Sequence, residues 1–248
     1  MAKNKEVRFL NSRMHTMSMT ESVEVIHQSL EAGLFFQHVV VNVAKLVNMQ
    51  TDKTLYDSVQ ACDLINIDGQ GVVLGARLCG IDVPERVAGI DLFYELLKMS
   101  EEKSFPIFLL GAKPHVLEQA QRNVQKQYPK LRVAGYHHGY FWDNEPAVVN
   151  KIKESGAKLL FVAITSPKKE NFINKWRDQL GVNFVMGVGG TFDVVSGNVK
   201  RAPAWMQRYG LEWLFRVIQE PRRMFMRYLV TNTKFIKYVV KEKLKSKA

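Results

Sequence analysis

Leu64-Ile65-Asn66-Ile67-Asp68-Gly69-Gln70-Gly71 sets a short strand-like run directly against an acid and two glycines. Such a run, with no regular polar alternation, suits a strand covered on both faces, and the glycines end it at once. The pattern recurs at residues 37–41, 106–110, 131–134, 159–163 and 183–187, mostly bounded by Gly, Pro, Asn or Asp. Helix-period segments lie between these runs. Ser18 and Glu21 have capping-box spacing ahead of residues 23–30, and Lys113-Pro114 opens a run to Gln127. The alternation predicts an α/β fold: a mostly parallel, Rossmann-like sheet covered by helices. In such sheets ligands bind beyond the carboxyl ends of the strands, where the informative residues of this chain cluster.

Charge divides the chain more sharply than any linker. Residues 200–248 carry thirteen Lys or Arg against Glu212, Glu220 and Glu242, so they hold nearly all of the net charge of +11. We therefore expect a near-neutral α/β core over residues 1–199 and a basic helical, membrane-associating appendage over 200–248. At 100° per residue, Arg223, Arg227, Lys234, Lys241 and Lys245 form one stripe of the tail. Phe225, Leu229, Ile236 and Val240 form the opposite one, flanked by Tyr228 and Val239, and Pro221 marks the helix start. That arrangement predicts an interfacial helix on an anionic membrane surface; the plainer alternative is a helix packed on its own body. Nucleic acid is a poor match, since no helix-turn-helix, zinc-finger or ribonucleoprotein signature accompanies the charge. Cys62 and Cys79 are too few for a disulfide scaffold, and no run reaches the roughly 18 apolar residues of a membrane span. With no secretory signal read at the N-terminus, the expected location is cytoplasmic, peripheral on the inner face of the cytoplasmic membrane.

Three strand-end groups could carry chemistry. Asp68 could set a carboxylate beside a ligand, or simply cap the next helix. The Gly69-x-Gly71-x-x-x-Gly75 run hints at a nicotinamide-dependent oxidoreductase but misses the dinucleotide spacing. In Gly187-Val-Gly-Gly-Thr-Phe-Asp193, the N–H groups of Gly189 and Gly190 could meet a diphosphate and Asp193 a ribose; a tight turn with a capping Asp is the bland alternative. His137-His138-Gly139-Tyr140-Phe141-Trp142 offers a platform for a nucleobase or ordinary core aromatics. The two histidines lack a spaced third ligand, so no metal site is expected. There is also no Asp-x-Asp pair to hold a divalent ion on a nucleotide diphosphate. A departing diphosphate would then fall to Arg or Lys.

Together these motifs resemble the WecG/TagA/CpsF family of bacterial glycosyltransferases. The resemblance rests on Asn66-Ile-Asp68-Gly69 through Gly71-Val-Val, Glu85-Arg86-Val87-x-Gly89-x-Asp91-Leu92, Leu110-Gly111-Ala112-Lys113-Pro114, His138-Gly139-Tyr140-Phe141 and Gly187-Val188-Gly189-Gly190-x-Phe192-Asp193. It continues through Lys200-Arg201-Ala202-Pro203, Leu211-Glu212-Trp213-x-x-Arg216, Glu220-Pro221-x-Arg223 and Arg227-Tyr228, covering about residues 7 to 236. It implies inverting, metal-independent transfer of a sugar from a UDP-sugar to a polyprenyl-diphosphate-linked saccharide, with no cofactor. Asp68 then matches the general base and Arg86 an arginine of the pocket. Asn42, Tyr140, Lys169, Gly189, Gly190 and Asp193 fall on the donor side, with Tyr140 against the uracil. Arg216, Arg223 and Arg227, with Arg222 beside them, would grip a diphosphate, as a guanidinium does bidentately. Two positions depart from the family pattern: Val40 stands for a Thr, and Lys169 for the Gln of Ser166-Pro167-Lys168-Lys169-Glu170. Both bear on the donor, leaving N-acetylmannosamine, its uronic acid and glucose open. A non-catalytic, membrane-recruited scaffold is the remaining alternative, and a homo-oligomer is compatible with the sequence.

Overall fold

The computed structural model describes residues 5–245, apart from the side chain of Arg223. Eight strands form one sheet: β1 (Glu6–Phe9), β2 (Ser12–His15), β3 (Phe36–Val41), β4 (Leu64–Ile67), β5 (Ile107–Gly111), β6 (Val133–His137), β7 (Leu159–Ala163) and β8 (Phe184–Gly187). Their order is β1-β2-β4-β3-β8-β7-β5-β6, and every pairing except the β1–β2 hairpin is parallel. The mostly parallel α/β sheet expected from the sequence is therefore present. Two details differ. The hairpin was not anticipated, because its turn uses Leu10 and Asn11, both at positive φ, instead of an Asn-Gly or Asp-Gly signal. The ladder of β6 also begins later than residue 131, with a register shift between Ile107 and Phe108 on its neighbour.

The helices are α1 (Met19–Glu31), α2 (Val43–Met49), α3 (Lys53–Gln60), α4 (Gln70–Leu78), α5 (Gly89–Glu102), α6 (Pro114–Gln127), α7 (Glu145–Glu154), α8 (Lys168–Trp176), α9 (Thr191–Val195), α10 (Ala204–Arg208), α11 (Glu212–Gln219) and α12 (Pro221–Lys245). The box at Ser18 forms: Glu21 N–H donates to Ser18 Oγ, and Ser18 N–H donates to Glu21 Oε2 at 2.9 Å. Period-two alternation sorts the strand residues onto two faces. Leu64 packs with Phe93, Phe161 and Phe184 under α1, α5, α6 and α9, while Ile65 and Ile67 pack with Leu46 and Val72 under α2 and α4. A third cluster joins Phe108 and Val162 to Phe172 and Ile173 of α8.

Pro221 opens α12, as read from the sequence. The helix lies on α2 and α4 through buried Phe235 and Val239, which belong to the same cluster as Ile65 and Ile67. The Phe235 ring stands against Gly75 and meets Phe9 edge-on at 6.2 Å. The stripe of Phe225, Leu229, Ile236 and Val240 faces outward instead, each more than half exposed. No helix among the described residues is long and apolar enough to cross a membrane.

Candidate active site at the ends of β3, β4 and β8

Asp68 follows β4 in line with the sheet, its N–H donating to Val41 O at 2.8 Å. Gly69 turns the chain into α4 at φ +101, a conformation only glycine adopts without strain. Gly69 has no side chain to cap α4, and the Asp68 carboxylate instead accepts from Gly89 N–H at the start of α5. It is half-buried, and burial pushes its pKa above the usual carboxylate range. Arg86 pulls against that shift, Glu212 adds to it, and the Gly89 N–H and Arg216 favour the ionised form.

Arg86 reaches this turn because the loop before α5 is tied to the sheet. Val87 N–H donates to Ile67 O at 3.0 Å, which sets Arg86 beside Asp68. One Arg86 N–H donates to Glu212 Oε2 at 2.5 Å. Glu212 also faces Arg201, whose Nε lies 3.7 Å from Glu212 Oε1, and Arg201 grips Asp91 with two hydrogen bonds of 2.6 and 2.8 Å. The Asp68 carboxylate thus sits at the edge of an alternating cluster of acids and guanidinium groups. Among the described residues no group of three or more His, Cys, Asp or Glu side chains could hold a metal.

A model of the glycosyl transferase WecG/TagA/CpsF family matches residues 7–248. This chain belongs to that family. It is similar to the N-acetylglucosaminyldiphosphoundecaprenol N-acetyl-beta-D-mannosaminyltransferase of Bacillus subtilis (strain 168), at 37% identity over 79% of this chain and 75% of the relative. The protein of the same name from Bacillus spizizenii (strain ATCC 23059 / NRRL B-14472 / W23) is 38% identical over 75% of this chain and 72% of the relative. The family's activity makes this chain a glycosyltransferase.

The remaining family positions spread along the strand ends. Asn42 caps α2, accepting a bond from Lys45 N–H at 3.0 Å, and lies beside the Gly69 turn. Gly189, at φ +55, and Gly190 form the turn from β8 into α9; the Asp193 carboxylate folds back toward Gly190 and accepts from Asn198 at 3.4 Å. Tyr140 is 61% exposed on the loop after β6, where Gly139 N–H ties to Ala112 O. Five strand spacings separate β6 from β4, about 24 Å at ~4.8 Å each, so Tyr140 and Asp68 lie far apart along the same edge of the sheet. Phe141 and Trp142 take the core alternative, stacked on each other at 5.0 Å and packed on Phe172.

Lys169 is buried, its stem crossing Gly187 and its ammonium 3.1 Å from Glu170, which also takes Lys45 at 2.8 Å. Burial and the neighbouring Lys45 lower the Lys169 pKa to about 8. Val40 lies against Gly89, the residue whose N–H serves Asp68. Of the tail arginines, Arg216 is exposed on α11 and acts on Asp68, while Arg222 and Arg227 are exposed on α12. Arg223 belongs to the same helix, and its side chain lies outside the described residues. The sequence reading assigned no role to Glu212, Asp91 or Arg201, although all three lie inside the motifs that carry the resemblance. An acid in a strongly basic segment was the available signal.

Proposed function

We propose that this enzyme transfers a sugar from a UDP-sugar to a polyprenyl-diphosphate-linked saccharide during bacterial cell-surface polysaccharide synthesis, with inversion and without a metal. The observation that carries the reading is the Asp68 carboxylate, held at a strand end and set beside Arg86. Asp68 accepts the proton of the acceptor hydroxyl as that oxygen bonds to the anomeric carbon. The bond from that carbon to UDP breaks in the same step, and UDP departs with its electron pair toward the arginines. A single in-line displacement inverts the anomeric centre. A carboxylate whose pKa is raised toward the working pH is the better base. The names of the two Bacillus relatives support an N-acetylglucosaminyl-diphospho-undecaprenol acceptor and an N-acetylmannosaminyl donor.

Residues 200–248 serve in this reading as the appendage that meets the inner leaflet. Its outward apolar stripe and its surplus of cations support interfacial binding, at about 1 kcal/mol per cation near an anionic surface.

The test is transfer from UDP-N-acetylmannosamine, its uronic acid and UDP-glucose to a short-chain N-acetylglucosaminyl polyprenyl diphosphate, read by mass spectrometry. We expect one donor to give a mass gain that falls about a thousandfold or more in Asp68→Asn. Wild-type turnover by Asp68→Asn removes Asp68 from the chemistry, and failure to bind UDP removes the donor class.

A further inference from the structure

We propose that Glu212 is a positioning residue for the transfer reaction, latching the C-terminal segment onto the Asp68 turn by holding Arg86 and Arg201 together. The inference rests on the reading of Asp68 as the base. Glu212 is the first residue of α11, where a carboxylate also suits the positive end of the helix. Its two oxygens divide between two guanidinium groups: Oε2 takes Arg86 at 2.5 Å, and Oε1 faces Arg201 Nε at 3.7 Å. Asp91 already holds the Arg201 guanidinium, and Glu212 adds a second carboxylate on its buried Nε side. Arg86 and Glu212 are both well shielded, with side chains 17% and 25% exposed, so water screens the pair less than it would a surface one.

A second contact fixes the same segment from the other side. Gly210 adopts φ +71, and a Cβ there would come within 2.5 Å of Gln70 Cβ. Gln70 is the first residue of α4, two positions after Asp68. Residues 210–212 are therefore pressed onto the turn that bears the base, and they reach the Arg86 side of it as well. Arg216, one helical turn beyond Glu212, shares its face of α11 and acts electrostatically on Asp68. Glu212 thus sets the register of α11 that delivers Arg216. Holding Arg86 through a single N–H leaves the rest of that guanidinium to serve a ligand.

The electrostatic consequence is distinct from the mechanical one. Four neighbours act on the Asp68 carboxyl besides its burial: Arg86, Glu212, Arg216 and the Gly89 N–H, of which Glu212 alone opposes ionisation. Removing the Glu212 charge therefore lowers the Asp68 pKa, and the acid limb of the rate profile moves to lower pH.

The experiment measures kcat and KM against pH for the full chain, for Glu212→Gln and for Glu212→Asp, with Asp68→Asn alongside and folding checked by thermal melting. Glu212→Gln should lower kcat about tenfold or more through misplacement. Its acid limb should move to lower pH. Glu212→Asp keeps the charge but shortens the reach, so its limb should stay with the wild type while kcat falls. A slowed Glu212→Gln with an unmoved limb, or wild-type kcat in either variant, overturns the proposal. If Glu212→Gln unfolds, Glu212→Asp decides alone, wild-type kcat again overturning it. An active Asp68→Asn brings down the parent reading instead, and the two failures are told apart in one data set.

Discussion

Replacing Lys169 by Gln tests the electrostatics of the buried cluster beside Gly187. Two lysines share one buried glutamate there, Lys45 at 2.8 Å and Lys169 at 3.1 Å, both on Glu170 Oε1. The ordinary lysine pKa of 10.5 falls to about 8 at Lys169, through burial first and repulsion by Lys45 second. At about 1.4 kcal/mol per pH unit, holding this cation in the fold costs about 3 kcal/mol near neutrality. A lysine whose folded pKa is depressed carries its full penalty below about 8. The penalty fades as pH rises toward 10.5, where the unfolded chain also loses its proton. Lys169→Gln deletes the surplus cation and leaves the Lys45–Glu170 pair whole. We expect the variant to match or exceed wild-type stability at pH 7, by up to about 3 kcal/mol. The gap should close as wild type gains, relative to the variant, between pH 8 and 10. Glu170→Gln strands two buried lysines and should cost about 3–5 kcal/mol at pH 7. Urea unfolding of the three proteins at pH 7, 8.5 and 10 reads all of this. A Lys169→Gln protein destabilised like Glu170→Gln, or a gap that ignores pH, refutes the reasoning.

Two further outcomes follow from the tail helix. Phe235→Ala empties a site between Gly75, Phe9 and Val239, and should lower unfolding free energy by about 3–5 kcal/mol in chemical denaturation; a loss below 1 kcal/mol would mean that α12 is not part of the core. Leu229→Glu with Ile236→Glu changes only exposed positions, so the melting temperature should hold while co-sedimentation with anionic liposomes is lost; retained sedimentation would separate the outward stripe from membrane binding.

The strand at Leu64–Ile67 and the strand at Leu159–Ala163 were legible because burial on both faces leaves continuous β-rich runs with abrupt ends. The β1–β2 hairpin was not, since its short strands carry Glu6, Arg8 and Arg13 and its turn lacks glycine. Periodicity found the tail helix, its start and the stripe that faces outward, but not the Phe235 and Val239 contact that docks the helix on the body. Phe235 and Val239 turn inward because Gly75 opens room for them, a fact that lies in α4 and not in the tail. Around Asp68 the acid after a strand was visible, and the resemblance put Arg86 in the pocket, but their direct proximity was not legible. Glu212 stayed silent because its partners, Arg86 and Arg201, stand apart from it in sequence and meet it only when α11 folds over the turn. Lys169 looked like a cation offered to the donor. In the structure it shares Glu170 with Lys45, which comes from a different helix.

The contact between Phe9 and Phe235 joins β1 to α12, with Val72 and Ala76 in the same cluster. During synthesis the apolar floor beneath that cluster stays open until α12 has left the ribosome. Closure of so long a loop comes late, and the unfinished body offers a sticky surface meanwhile. Shortened forms that end before α12 would carry that surface permanently and tend to aggregate, which makes point substitutions on the outer stripe the cleaner probe of what the tail does. The same timing means that the half of the sheet bearing Asp68 matures together with the helix that carries the outward apolar stripe, so a chain cut short in translation leaves neither a finished reaction centre nor a finished outer face.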